Sequence, residues 1–442
     1  MLDFREQRLG AVNQGRMQKL VRSATPSGCR MAYAAAVRLG RSVVVVDGDV
    51  GPDYAAIGDL LFSPDGRRVA YVAVTERIEF SLVVDGQVHP QASAISDNSL
   101  AFSPDGCRIG YTAGKNGKQC VVVDGQPGPE YDAIGDVGLA FSPDSKGIAY
   151  AARRGSRWFL VADGRLEGEY DGIGTGKPVL SLDGQRIAYA ARCGNKWFVV
   201  VDGQRGPEYD GVLRSSPVMG ADGRRVAYAA ATGRRFLVVV DGQPGPQYGA
   251  IAEGTPTFSA EGRRVAYVAR KGPKWLVVVD GQPGPEYDSI EETGAVFSLN
   301  GDRVAYGATR GNKWLTVVDG RAGSEYDAVA QLSFSSDGQH LAYLAQKGSK
   351  WFAVVDGEPG PAYDGFSGNC QLVFSPDGRR VAWAGRQGDR KSVIVNGEFG
   401  PAYDAVAVGP VFRLDGALEF LAVRGDSLYR VTERENAVRR RQ

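Results

Sequence analysis

The sequence predicts an all-β protein, a β-propeller of four-stranded antiparallel blades, with ten or eleven repeats of about 39 residues. Three observations predict it. The tripeptide VDG places an aspartate at Asp47, Asp85, Asp124, Asp163, Asp202, Asp241, Asp280, Asp319 and Asp356, and a tenth copy reads VNG at Asn396. Neighbouring copies lie 38, 39, 39, 39, 39, 39, 39, 37 and 40 residues apart, and a period that regular marks one supersecondary unit copied along the chain. Each unit also holds four short apolar runs separated by turn signals.

The unit at 138–173 shows the four runs in order. GLAF comes first and ends in SPDS, which is SPDG in other copies. Pro suits the second position of a type I turn, and Gly closes it. GIAYAA follows, β-branched and aromatic, then the hairpin loop RRGSR. WFLVA is the third run, and the DG after it is a strong short-hairpin signal, because both residues tolerate positive φ. The third run is the most continuously apolar in other copies, VVVV at Val43–Val46 and VVV at Val238–Val240, as a strand buried on both faces should be. The fourth run usually reads QPGPEYDAI. Its Pro cannot donate to a ladder and so belongs on an outer edge, where it also blocks pairing with other chains. A β-solenoid is the rival architecture, but its coils are shorter and lack three hairpin turns per repeat.

Eleven SPDG-type turns centre on Ser27, Asp65, Asp105, Asp144, Asp183, Asp222, Glu261, Asn300, Asp337, Asp377 and Asp415, against ten second halves. The last unit therefore lacks a strand, and the stretch before Ser27 is the candidate to supply it. The expected organisation is an N-terminal segment 1–16 that closes the ring, repeats over 17–432, and a basic solvated tail at 433–442 containing Arg439–Arg441. Uniform spacing favours one large ring over two rings of five or six blades. The copy at Asp85 is aberrant, with VHPQASAI in place of PGPEYDAI.

Phe62–Tyr71 reads FSPDGRRVAY, and Phe374–Trp383 repeats it with a final Trp. These segments resemble the WD40-like (PD40) repeat of TolB-type bacterial propellers, over essentially residues 17–430. The resemblance implies the propeller fold and little about function. The Gly-His and Trp-Asp dipeptides of true WD40 repeats are missing, as is a hydrolase domain.

Composition narrows the function classes. The 442 residues carry 52 basic and 51 acidic side chains, a balance that argues against nucleic acid or an anionic membrane as main partner. Five cysteines in different repeat positions form no CxxC pair and read as free thiols of a reducing compartment. No signal-peptide or transmembrane run is present, so the cytoplasm is expected, or the periplasm or exterior if a leader has been removed. A monomer is expected.

Chain direction puts the SPDG and VDG turns, with paired arginines such as Arg263 and Arg264, at one end of each blade. The loops RRGSR, RCGNK and RKGPK share the other end with EYD segments. Local pairing of these charges is the plain expectation. The sharper one is a partner-binding face built from Trp158, Trp197, Trp275, Trp314 and Trp351 with Arg154 and Arg192, since aromatics beside arginines are enriched in hot spots. Against it, an aromatic in so many units suits packing between blades. Tyrosine in nine EYD copies suits the same architectural role.

No catalytic group is expected. The two histidines, His89 and His340, occupy different repeat positions, which fits neither a triad nor a His-rich metal site. Residues 172–178, GIGTGKP, lack the first Gly and the Ser/Thr of a phosphate loop. One carboxylate per SPDG turn is too few for calcium. No metal and no cofactor are expected. The reading is a non-enzymatic scaffold that binds a protein or peptide. The alternatives are a carbohydrate or small-ligand binder, and a hydrolase or lyase using channel acids.

Overall fold

The computed structural model describes residues 3–11, 17–38, 40–89, 92–174, 176–214, 216–292, 294–366 and 371–434. Every regular element among them is a β-strand, and the strands form eleven antiparallel sheets. The protein is a β-propeller of eleven four-stranded blades. Blade 1 spans 17–54, blade 2 56–88, blade 3 94–127, blade 4 133–170, blade 5 172–205 and blade 6 211–244. Blade 7 spans 250–283, blade 8 289–326, blade 9 328–363 and blade 10 365–399; blade 11 joins 405–434 to 3–11.

Within a blade the strands pair in chain order, in blade 4 as Ala133–Phe141, Ile148–Arg154, Arg157–Ala162 and Arg165–Tyr170. The second and third strands are buried on both faces, which is why they read as apolar runs. In six blades the first strand is broken, and both pieces pair with the second strand; Gly211–Val212 and Val218–Met219 both meet Val226–Thr232.

The VDG turn has the geometry its sequence requires. Asp280 has φ 51° and Gly281 φ 78°, the two positive angles of a type I′ hairpin turn. Asp280 does more than turn the chain. Its Oδ1 accepts the Val265 N–H at 2.9 Å and its Oδ2 accepts Arg264 Nε at 2.9 Å, which ties the turn to the start of the second strand.

The chain forms two compact units, residues 1–91 with 324–442, and 92–323. The first holds blades 9, 10, 11, 1 and 2. The second holds blades 3 to 8 as far as Gly323. In the first unit blade 11 packs on blade 10 through Phe412, Leu418 and Phe420, and on blade 1 through Val408, Leu421 and Leu428.

Blade 11 is a clasp between chain ends. Asp3–Ala11 pairs antiparallel with Ser427–Arg434, in a register that runs from Asp3↔Arg434 to Ala11↔Ser427. Two buried glutamates of this blade reach opposite neighbours. Glu419 accepts the Cys29 N–H at 2.7 Å on the blade 1 side, and Glu433 pairs with Arg380 of blade 10. Of the tail expected at 433–442, Glu433 and Arg434 instead belong to the last strand, where they pair with the N-terminal strand; 435–442 lie outside the described residues, as does Cys370.

The EYD tyrosine of one blade meets the aromatic residue of the next blade's second strand. Tyr131–Tyr150, Tyr170–Tyr189, Tyr209–Tyr228, Tyr248–Tyr267 and Tyr287–Tyr306 have centroids 5.9–6.3 Å apart in edge-to-face geometry. The Tyr170 and Tyr189 hydroxyls lie 2.9 Å apart. Burial, then the neighbouring Tyr170 hydroxyl, pushes the Tyr189 phenol above its ordinary value. At the clasp, Phe420 takes the partner ring and Glu6 accepts the Tyr403 hydroxyl at 2.6 Å.

Candidate functional site: a slot beside blade 3

At the SPDG end, charge is committed to blade-to-blade contacts. Arg264 binds Asp280 in its own blade, and its Nη1 donates to the Gly301 and Asp302 carbonyls of blade 8 at 3.2 and 2.9 Å. Arg186 does the same with Asp202 and the Gly223 and Arg224 carbonyls, and Arg108 with Asp124 and the Ser145 and Lys146 carbonyls. The Asn396 copy fits this scheme. Asn396 still accepts the Val381 N–H at 2.8 Å, but Arg380 is free to turn to Glu433.

The opposite end is stapled as well. Asp288 accepts Lys274 Nζ of blade 7 at 2.5 Å and the Gly311 N–H of blade 8 at 2.8 Å. Lys274, then that N–H, holds its carboxyl below the usual range. Asp210 bridges Lys196 and the Gly233 N–H, and here the N–H contributes most to the depression.

The tryptophans stand beside these staples. Trp158, Trp197, Trp275, Trp314 and Trp351 are all half-buried. Cross-strand register explains where they point. In blade 5 one row reads Gly172, Arg192, Trp197, Tyr209; in blade 7 it reads Ala250, Arg270, Trp275, Tyr287. The arginine stacks on the ring of its own row, Arg153 on Trp158 at 5.9 Å, Arg192 on Trp197 at 5.8 Å and Arg270 on Trp275 at 5.7 Å. Trp275 packs against the core shared by blades 7 and 8, and Trp351 against that of blades 9 and 10. Arg154 lies one residue off the row and stacks instead on Tyr131 of blade 3 at 4.9 Å. Arg192 therefore sits with its tryptophan, while Arg154 belongs to the tyrosine series.

Blade 3 breaks the row. Its positions are Ala94, Gly114, Gln119 and Tyr131, so Gly replaces the arginine and Gln the tryptophan. Gln119 folds down to accept the Ile134 N–H of blade 4 at 2.7 Å. What remains is an open slot of about 580 Å³ lined by Ala94, Gly114, Gln119, Ala133 and Ile134, with Lys115 and Asp136 exposed at its rim. A Cβ added at Gly114 would meet nothing closer than 3.4 Å, so the space is real and the backbone there accepts a side chain. Blade 1 also lacks the pair, having Ser42 opposite Ala36, but Arg41 crosses that junction to Glu76 at 2.8 Å. A second groove, about 390 Å³ between blades 5 and 6, is lined by Val199, Val201 and Tyr228 with the Arg186–Asp202 pair at its edge.

Gly114 and Gln119 were not among the residues singled out from the sequence. The signal was there: exchanges of arginine for glycine and tryptophan for glutamine at opposed positions of a repeat whose other copies, blade 1 excepted, keep at least one bulky side chain.

No protein family matches the chain, and neither does any curated protein. Among solved structures it is similar to a eukaryotic initiation factor, with 13% identity and TM-score 0.43 over 76% of this chain and 95% of that one. It is also similar to TolB from Acinetobacter baumannii, with 13% identity and TM-score 0.27 over 67% of this chain and 78% of that one. Likeness at that level carries no functional argument. No helix among the described residues is long and apolar enough to cross a membrane.

Proposed function

We propose that the protein is a non-enzymatic propeller scaffold, cytoplasmic and monomeric, that binds a protein or peptide partner at the loop-bearing end of its blades, centred on blade 3. The propeller architecture supports a binding role in general. The observation that carries the finer reading is the contrast between junctions. In blades 4, 5 and 7 a tryptophan with an arginine stacked on it fills this position. Beside blade 3 the Lys118–Asp132–Gly155 staple is kept, but Gly114 and Gln119 leave an open slot with an exposed cation and an exposed carboxylate at its rim. A volume of about 580 Å³ lies within the ordinary range for ligand sites.

The test is site-specific photocrosslinking. A photoreactive residue placed at Asn116, in the blade 3 loop, should capture a discrete partner in cells that express the protein, and one at Gly194 or Gly272 should capture much less. Capture from no position, or equal capture from all of them, overturns the reading.

A further inference from the structure

Resting on that reading, we infer that the blade 3 slot is a receptor for one aromatic side chain of the bound peptide, of the indole or phenol type. The fold supplies its own template. In blades 4, 5 and 7 the equivalent space holds a tryptophan ring with an arginine stacked on it, at 5.7–5.9 Å. Blade 3 keeps the walls of that space. Tyr131 still ends the row as a buried ring, and Ala133 and Ile134 still come from the next blade. Only the occupant has been removed, by Gln119 and Gly114. A planar ring entering there covers the half-buried Gln119 and finds Lys115 and Lys118 at the mouth, cations of the kind that stack on aromatic faces. Lys118 is already held by Asp132, which leaves Lys115 as the cation nearest to free rotation.

An aliphatic occupant is a poorer match. The template is a flat indole with a guanidinium stacked on it, and Gly114 and Ala94 line the slot with nothing larger than a methyl group, which leaves a ring a face to lie on. The aromatic ring would bury area and exclude water from the Gln119–Ile134 hydrogen bond.

The experiment uses the full chain and the probe N-acetyl-5-fluoro-L-tryptophanamide, observed by ¹⁹F line broadening so that the protein's own tryptophans do not interfere. The wild type should broaden the probe with an affinity of order millimolar, as expected for one side chain of a larger ligand, and N-acetyl-leucinamide should not compete. Gly114→Arg and Gln119→Trp each restore what other blades carry, and each should weaken probe binding about tenfold or more. Two separate filling variants guard against one of them misfolding, and thermal melts report that directly. Equal broadening by wild type and by a folded filling variant overturns the inference, as does competition by the leucine amide or no broadening of the probe at all. The photocrosslinking of the previous section separates the two failures. If a partner still crosslinks at Asn116 to the filled variant, the scaffold reading stands and the aromatic receptor falls; if none crosslinks even to wild type, the scaffold reading falls.

Discussion

Asp280→Ala tests how the VDG aspartate works. The change removes three things. It leaves the Val265 N–H without its acceptor, and Val265 is 2% exposed; an unsatisfied buried donor costs about 1–3 kcal/mol. It puts alanine at φ 51°, where aspartate is tolerated better and an L-residue otherwise pays about 1 kcal/mol. It removes the ion pair with Arg264, which is a third exposed and is worth about 0–1 kcal/mol. The sum is about 2–5 kcal/mol for opening this part of blade 7. Asp280→Asn removes only the last term, so its cost should stay below about 1 kcal/mol, as the natural Asn396 suggests. Hydrogen exchange of the segment containing Val265 reads local opening. Alanine should accelerate it roughly 30- to 5,000-fold and asparagine less than about tenfold. If the two variants exchange equally fast, the ion pair dominates and the turn argument is wrong.

Arg380→Ala should be the most damaging single change of a charged side chain, because Arg380 is buried and its partner Glu433 is 1% exposed, and an uncompensated buried charge costs about 3–5 kcal/mol; Arg380→Met with Glu433→Leu should recover most of the loss in a urea titration. Tyr170→Phe should destabilise by about 1–2 kcal/mol by orphaning the Tyr189 hydroxyl, whereas Tyr363→Phe should be neutral or stabilising, because the buried Tyr363 hydroxyl has no hydrogen-bond partner; thermal melts of the pair decide it. Burial raises the phenols of Tyr71, Tyr150, Tyr189, Tyr228, Tyr267 and Tyr306. A raised folded value stabilises below the unfolded one, near 10, and that stability is lost as pH rises further. Tyrosinate absorbance should therefore appear in one cooperative step with unfolding above pH about 10; smooth titration of every tyrosine in a folded protein contradicts it.

The fold was legible because each local choice repeats. Pro in SPDG, the DG pair, and apolar runs of strand length recur often enough that noise cancels, and eleven first turns against ten second halves counted the blades. The wiring was less legible. The reading put Arg264 and Asp280 at the same end of a blade, but Arg264 also reaches carbonyls 37 and 38 residues away, a contact set by how neighbouring sheets pack. The tryptophans were ambiguous for the same reason: whether Trp197 faces solvent depends on Arg192 and on the next blade. The aberrant VHPQASAI drew attention to the edge of blade 2, and its Ala94 does line the slot, but the exchanges that open it lie further on, in the next hairpin. Opposition across a hairpin decides it, and Gly114 and Gln119 look innocuous until they are placed side by side.

The clasp in blade 11 also sets a schedule. Phe4 pairs with Glu433, so the strand Asp3–Ala11 must wait for its partner until the chain between them has been made. At about 5–20 residues per second that wait is roughly 20 to 90 seconds. Throughout it the strand Asp3–Ala11 has an open edge, and its sequence, DFREQRLGA, is crowded with charge of both signs, a composition that discourages stray pairing. Until Ser427–Arg434 has been made, its own charges are what keep that edge from the wrong partner.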